Sequence, residues 1–235
     1  VPKPSERKNN MRRILVAAPH PDDEWIGCGG SLLKHIRGGN PVTVVYMTSG
    51  EAGGLGRTRE ALAAVREAEA RDAAAFAGIT DLIFLGNPDG YLAYDRSNLV
   101  ALVEILRRIR PDVLYIPHAR ETHPDHAVTH RLWVEACRRA RGPWFSECPG
   151  DPWPVGTILC YEVWTPLTEI PCVEDISAFM DLKLAALRRH RSQLDGIPYD
   201  EAVAGLNRFR GITTGKGRFC ECFAVQALET PSCGP

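Results

Sequence analysis

Four ionisable side chains crowd the stretch PHPDDE: His20, Asp22, Asp23 and Glu24. Groups held so close repel one another unless a cation or a transferable proton links them. A second cluster, HARETHPDH, carries His123, Asp125 and His126. Imidazole nitrogen and carboxylate oxygen suit a divalent ion of zinc's character, and a catalytic zinc site takes about three protein ligands with a position open for water. His20 and Asp23 offer two such ligands, and His123 or His126 offers the third.

Two competing patterns fail on detail. Gly27 and Gly29 begin a G-x-G-x-x-G run, but Leu32 stands where the third glycine belongs, and the acidic turn would repel a pyrophosphate. His126 and His130 have the spacing of an HExxH metallopeptidase helix, yet Ala127 occupies the place of the glutamate base. Taken singly, each cluster also reads as an aspartate-rich turn or a helix cap. What favours chemistry is that both follow predicted strands.

The elements that must position these residues alternate strand and helix. RILVAAP is an apolar run of the kind buried on both faces of a sheet, and SLLKHIRGG reads as a helix stopped by glycines. PVTVVYMTS and DLIFLG are further strands, separated by the alanine-rich helix REALAAVREAEARDAAAFAG, which ends at Gly78. The helix LVALVEILRRIR precedes the strand DVLYIP, and another helix runs roughly from Asp125 to Arg141. Pro124 fits the first turn of that helix, which places His123 just outside it and His126 inside. Beyond a Pro/Trp-rich loop come the strand TILCYEVW, one helix DISAFMDLKLAALRRHRSQL, and a final strand near CECFAVQAL. This alternation predicts an α/β fold: a single Rossmann-like domain over residues 11–235, its mainly parallel sheet flanked by helices. In such sheets ligands bind beyond the carboxyl ends of the strands, where both clusters lie. Residues 1–10 are expected to be a disordered leader or a remnant, with Met11 as the natural start.

A chain of 235 residues with 44% hydrophobic and 24% charged residues is ordinary for a soluble globular protein. Its formal net charge of −1 supplies no field for nucleic acid or an acidic membrane. No apolar run is long enough to span a bilayer, and the polar opening lacks the pattern of a secretory signal, so a cytoplasmic protein is expected. The eight cysteines are expected to be free thiols, since a chain of this size needs no disulfide staples.

The two clusters resemble the signature of the PIG-L/LmbE-like zinc-dependent N-acetylglucosaminyl deacetylases, a segment (A/P)-H-P-D-D-E followed much later by H-P-D-H. The likeness extends through TSGEAGG, the REAE of the long helix and NPDG, and ends in the CECF region. It implies that His20, Asp23 and His126 bind Zn2+ and that Asp22 is the general base. His123, with Asp125 behind it, would stabilise the oxyanion as an imidazolium or act as acid, and Arg66 and Asp89 would contact the sugar. Asp22 suits its role, because an unligated carboxylate beside the metal can accept the proton of attacking water. The function implied is removal of the acetyl group from an N-acetylglucosamine-type sugar on a small molecule, such as a thiol precursor or an aminosugar antibiotic intermediate. Hydrolysis of a non-sugar amide and a non-catalytic sugar-binding role are the alternatives. The partners expected are the amino-sugar substrate and, by resemblance, further copies of the chain in a homo-oligomer.

Overall fold

The first strand sets the architecture. In the computed structural model, which describes residues 11–227, β1 (Ile14–Ala18) is buried at every position. Ile14, Val16 and Ala18 face one hydrophobic core, and Leu15 and Ala17 face the other. A strand covered on both sides has no use for polar alternation, which is why the run reads as continuously apolar.

The chain continues through α1 (Asp23–Arg37), β2 (Val42–Thr48), α2 (Arg59–Ala77), β3 (Asp81–Asn87), α3 (Arg96–Ile109), β4 (Val113–Pro117) and α4 (Pro124–Ala140). It then forms β5 (Thr157–Tyr161), β6 (Cys172–Asp175), α5 (Met180–Leu187), α6 (Arg191–Leu194), α7 (Tyr199–Thr214) and β7 (Cys220–Ala227). One sheet of seven strands has the order β3-β2-β1-β4-β5-β7-β6. The pairs among β1 to β5 are parallel, and β7 is antiparallel to both β5 and β6. Helices α1, α2, α5 and α7 cover the first core, and α3 and α4 cover the second. The α/β layering is as the sequence predicts.

Local chemistry explains the helix ends. Thr58 caps α2 by accepting from Ala61 N, and Gly78 ends it at φ 85°, a left-handed conformation costly for a residue with a Cβ. The proposed extent of the domain, to residue 235, and the expected leader over 1–10 lie partly or wholly outside the described residues.

Three expectations need correction. Helix α1 starts at Asp23, inside the acidic motif, rather than near Ser31. The single helix expected over DISAFMDLKLAALRRHRSQL begins only at Met180 and breaks at Arg188–His190 into α5 and α6, and β6 precedes it. Helix α7 and strand β6 were not expected at all. The buried positions of α7 are Val203, Asn207, Arg210 and Gly211, so only one of the four is a large apolar residue and hydrophobic periodicity carries little signal there. Among the described residues seven cysteines are free thiols, six of them buried; Cys233 lies outside that range. No helix among the described residues is long and apolar enough to cross a membrane.

Candidate active site

Adjacent strands β1 and β4 run parallel at the point where the strand order reverses, and a crevice opens beyond their carboxyl ends. Leaving β1, the chain turns through Pro19–Asp22 and enters α1; leaving β4, it passes His118–His123 and enters α4. The two motifs, about a hundred residues apart in the chain, therefore share one cleft.

Three donor atoms form a small triangle there. His20 Nδ1 lies 3.1 Å from Asp23 Oδ2, His126 Nε2 lies 3.3 Å from the same oxygen, and the two ring nitrogens are 3.3 Å apart. Ligands about 2.0–2.2 Å from a tetrahedral ion have donor atoms roughly 3.3–3.6 Å apart, so the set is close to one face of such a polyhedron. The ring nitrogens turned away from the triangle meet carboxylates. His20 Nε2 lies 3.0 Å from Asp89 Oδ1 and 3.2 Å from Asp125 Oδ2. His126 Nδ1 has no hydrogen-bond partner among the described residues, and Glu121 Oε2 stands 3.6 Å away. A carboxylate on the far nitrogen fixes the tautomer that presents a lone pair to a metal, and this pattern recurs behind metal-bound histidines. The residues present thus fit a divalent cation. A second acidic grouping, His20 with Asp89 and Asp125, lies on the opposite nitrogen of the same ring, Nε2, where Asp89 also accepts from Ala52 N and Asp125 from Gly90 N and Leu92 N.

Electrostatics separate the adjacent aspartates. Burial raises the Asp23 carboxyl, but the facing His126 and His20 rings outweigh it and leave the group below its usual range. Burial pushes Asp22 up to about 7 against the pull of the Arg66 guanidinium. Asp22 stands at φ 126°, a strained conformation that costs on the order of 1–3 kcal/mol. It is held there by Glu24, whose Oε2 accepts from Asp22 N while Oε1 accepts from Tyr46 Oη at 2.6 Å, and by Trp25 N and Ile26 N donating to Asp22 O. Strain sustained by so many bonds next to the triangle marks Asp22 as a residue whose direction matters.

Four candidate residues have partners that spacing alone did not show. Asp125 does not back His123: its oxygens face His20 Nε2, Gly90 N and Leu92 N. His123 instead caps α4, its Nδ1 accepting from Asp125 N at 3.3 Å. With Nδ1 accepting that bond, Nε2 is the ring nitrogen left to carry a proton. Burial lowers its pKa, His20 and His126 lower it further, and the positive end of the helix acts in the same direction. Asp89 borders the cleft yet braces His20. Arg66, nearly fully buried, donates to Gly50 O, Pro21 O and Asp22 Oδ2.

Glu121 is the residue that sequence reasoning passed over. It sits in the motif HARETHPDH, and its signal was a carboxylate five positions ahead of a candidate ligand. Trp164, Gln193 and Tyr199 also line the cleft, from segments with no motif to expose them. The glycines weighed for a dinucleotide loop serve packing: a Cβ on Gly27 would stand 2.2 Å from the Tyr161 ring, and one on Gly29 2.9 Å from the Trp25 ring.

Comparison with known proteins identifies a family. Residues 15–137 match the family model PIG-L, GlcNAc-PI de-N-acetylase. The chain is 29% identical to a 1D-myo-inositol 2-acetamido-2-deoxy-alpha-D-glucopyranoside deacetylase of Thermomonospora curvata, over 78% of this chain and 81% of the relative. It is 30% identical to the diacetylchitobiose deacetylase of Thermococcus kodakarensis, over 81% of this chain and 73% of that protein. Among solved structures, N,N'-diacetylchitobiose deacetylase from Pyrococcus horikoshii, complexed with its inhibitor MPG, superposes with a TM-score of 0.84 and 31% identity. That match covers 92% of this chain and 84% of the other.

Proposed function

We propose, from the premise that the chain belongs to the PIG-L family of GlcNAc-PI de-N-acetylases, that it is a zinc-dependent hydrolase removing the acetyl group from an N-acetylglucosamine-type sugar on a small molecule. The observation that carries this reading is the triangle of His20 Nδ1, Asp23 Oδ2 and His126 Nε2 with a separate buried carboxylate, Asp22, beside it. His20, Asp23 and His126 would hold the ion. When bound, zinc supplies a Lewis acid for the amide carbonyl and a lowered pKa for water.

The rest of the chemistry falls to this chain's own groups. Arg66 occupies Asp22 Oδ2 and orients the carboxylate, leaving Oδ1 to take a proton from water as its oxygen attacks the acetyl carbon. His123 donates from Nε2 to the oxygen that becomes negative, a contact that strengthens only as charge develops. When the carbon–nitrogen bond breaks, Asp22 returns its proton to the leaving nitrogen, giving acetate and a free amine. Asp89 and Asp125 hold His20, and Glu121 stands ready to accept from His126 Nδ1.

The test is release of primary amine from N-acetylglucosamine glycosides and from N-acetyl amino acids, with and without chelation, in wild type and Asp22→Asn. The expected result is activity on the glycosides that chelation abolishes and zinc restores. Asp22→Asn should keep its zinc and lose about 10²- to 10⁴-fold in kcat. Full activity in metal-free protein would overturn the proposal, as would activity confined to the amino-acid amides.

A further inference from the structure

Glu121 is where the metal-facing side of the cleft meets its aromatic wall. Three consecutive backbone N–H groups after β5 converge on its buried carboxylate, an arrangement that holds an anion firmly. Val163 N donates to Oε1 at 2.8 Å, Thr165 N to Oε1 at 3.2 Å and Trp164 N to Oε2 at 3.1 Å. His118 adds a fourth donor. Its Nδ1 accepts from Arg120 N, so Nε2 carries the proton, which lies between Thr165 O at 2.7 Å and Glu121 Oε1 at 3.2 Å. The segment held in this way carries Trp164, whose ring lines the cleft and meets that of Tyr199 edge to face, with centroids 5.3 Å apart.

Donors and acceptors then leave one of each without a partner. A carboxylate oxygen accepts about two hydrogen bonds; Oε1 is filled, but Oε2 has only Trp164 N. His126 is fully buried, its Nδ1 has no hydrogen-bond partner among the described residues, and it stands 3.6 Å from that same Oε2. The gap exceeds a hydrogen bond by several tenths of an ångström. The other histidine of the triangle differs, since its outer nitrogen already meets Asp89 at 3.0 Å and Asp125 at 3.2 Å. A cation on His126 Nε2 would keep the proton on Nδ1 and draw charge from the ring, which makes Nδ1–H a stronger donor to a carboxylate. Because Trp164 N is bonded to the same oxygen, Glu121 cannot turn toward His126 without drawing the wall with it.

We propose that Glu121 is a positioning residue that couples the two halves of the site: metal occupancy at His126 sets the placement of Trp164, and the anchored wall in turn raises metal affinity. The proposal rests on the reading of His20, Asp23 and His126 as the metal site. The test uses the full chain, stripped of metal and titrated with zinc. Competition with a chelator should show Glu121→Gln binding zinc about 10- to 100-fold more weakly than wild type, the usual cost of losing a carboxylate behind a ligating histidine. A second readout follows the wall. Fluorotryptophan labelling gives a fluorine resonance for each of the five tryptophans, and Trp164→Phe identifies the one that belongs to Trp164. Zinc should shift this resonance in wild type, and at saturating zinc the shift should shrink severalfold in Glu121→Gln. Should that variant not fold, wild type alone decides: between crystals without and with zinc, Glu121 Oε2 to His126 Nδ1 should shorten from 3.6 Å to about 3.0 Å.

The outcomes separate the two claims. Equal zinc affinity in wild type and Glu121→Gln would overturn the coupling, as would an equal zinc-induced shift at Trp164 in both, or a distance that stays at 3.6 Å. Each of these leaves the metal site and the deacetylase reading standing. Wild type that binds no zinc would overturn the metal reading itself, and the coupling with it.

Discussion

His123 and His126 are separated by one turn of backbone and do different work by position. His126 lies inside α4, fully buried, with Nε2 in the triangle; His123 is the cap of the same helix, with Nδ1 already used by Asp125 N. Only one nitrogen of His123, Nε2, is left to meet a substrate. The alanine variants should therefore fail in different ways. His126→Ala should purify without zinc, since two protein ligands hold the ion poorly. His123→Ala should keep zinc and a near-normal KM while kcat falls by about 10²- to 10³-fold, the usual loss for one oxyanion donor. Metal analysis beside steady-state kinetics decides it, and equal zinc loss in both variants would remove the distinction. The carboxylates behind the rings follow the same logic of position. Glu121 stands beside His126 Nδ1 and accepts from Trp164 N, so one carboxylate ties the two segments together.

Helix α1 must bring Asp23 to the triangle at its first residue, and its packing against the distant end of the chain secures it there. Lys183 from α5 is fully buried; its Nζ donates to Ile26 O of α1 at 3.0 Å, Asn207 Oδ1 of α7 at 2.8 Å and Glu221 Oε1 of β7 at 2.7 Å. Glu221 in turn accepts from Gly30 N, Ser31 N and Ser31 Oγ of α1. Removing one partner leaves a buried charge unpaired, and Lys183→Met should destabilise the protein by roughly 3–5 kcal/mol. Adding Glu221→Gln to that variant removes the stranded charge and should recover a substantial part of the loss. Urea unfolding of the single and double variants measures both, and strictly additive losses would show that the pair is not coupled. The small residues of α1 belong to the same contact, because Gly27 and Gly30 let Tyr161 and Ile176 approach. A glycine run after a strand thus has a packing reason that a motif search reads as a nucleotide loop.

At the scale of the whole molecule, His190 links the site's surroundings to acid stability. It sits fully buried in the turn between α5 and α6, with neither ring nitrogen hydrogen-bonded among the described residues. Burial, and then the Arg66 guanidinium of α2, hold its pKa down to about 3, while Asp23 of α1 and Asp72 of α2 act weakly the other way. An unfolded histidine titrates near 6.5, so below that pH the unfolded chain binds a proton that the native protein refuses. Stability should therefore fall as pH drops from about 6.5 toward 3, by up to roughly 1.4 kcal/mol per unit from this residue. His190→Leu should match or exceed wild type at pH 5 relative to pH 7.5, with a shallower loss. Denaturant titrations at the two pH values test it, and an unchanged difference between them would exclude His190 as a source.

The α/β layering and the meeting of PHPDDE with HPDH were legible in the sequence because each depends on local, type-specific signals. Buried parallel strands read as unbroken apolar runs, and acid and imidazole clusters at strand ends have few structural uses. Other features depended on partners remote in the chain. That Asp125 faces His20 follows from where Gly90 and Leu92 bring their N–H groups, and the use of His123 Nδ1 by Asp125 N follows from its position as a helix cap. Helix α7 buries Asn207 and Arg210 against Lys183 and Glu162, so its inner face looks like a surface until those partners are in place. Nothing in the sequence paired Trp164 with Tyr199. Folding placed them beside one another at the cleft because a buried carboxylate, Glu121, fixes the segment that carries the tryptophan. Residue type and spacing determined which groups could do chemistry; tertiary hydrogen bonding decided which atom of each group is left free toward the cleft.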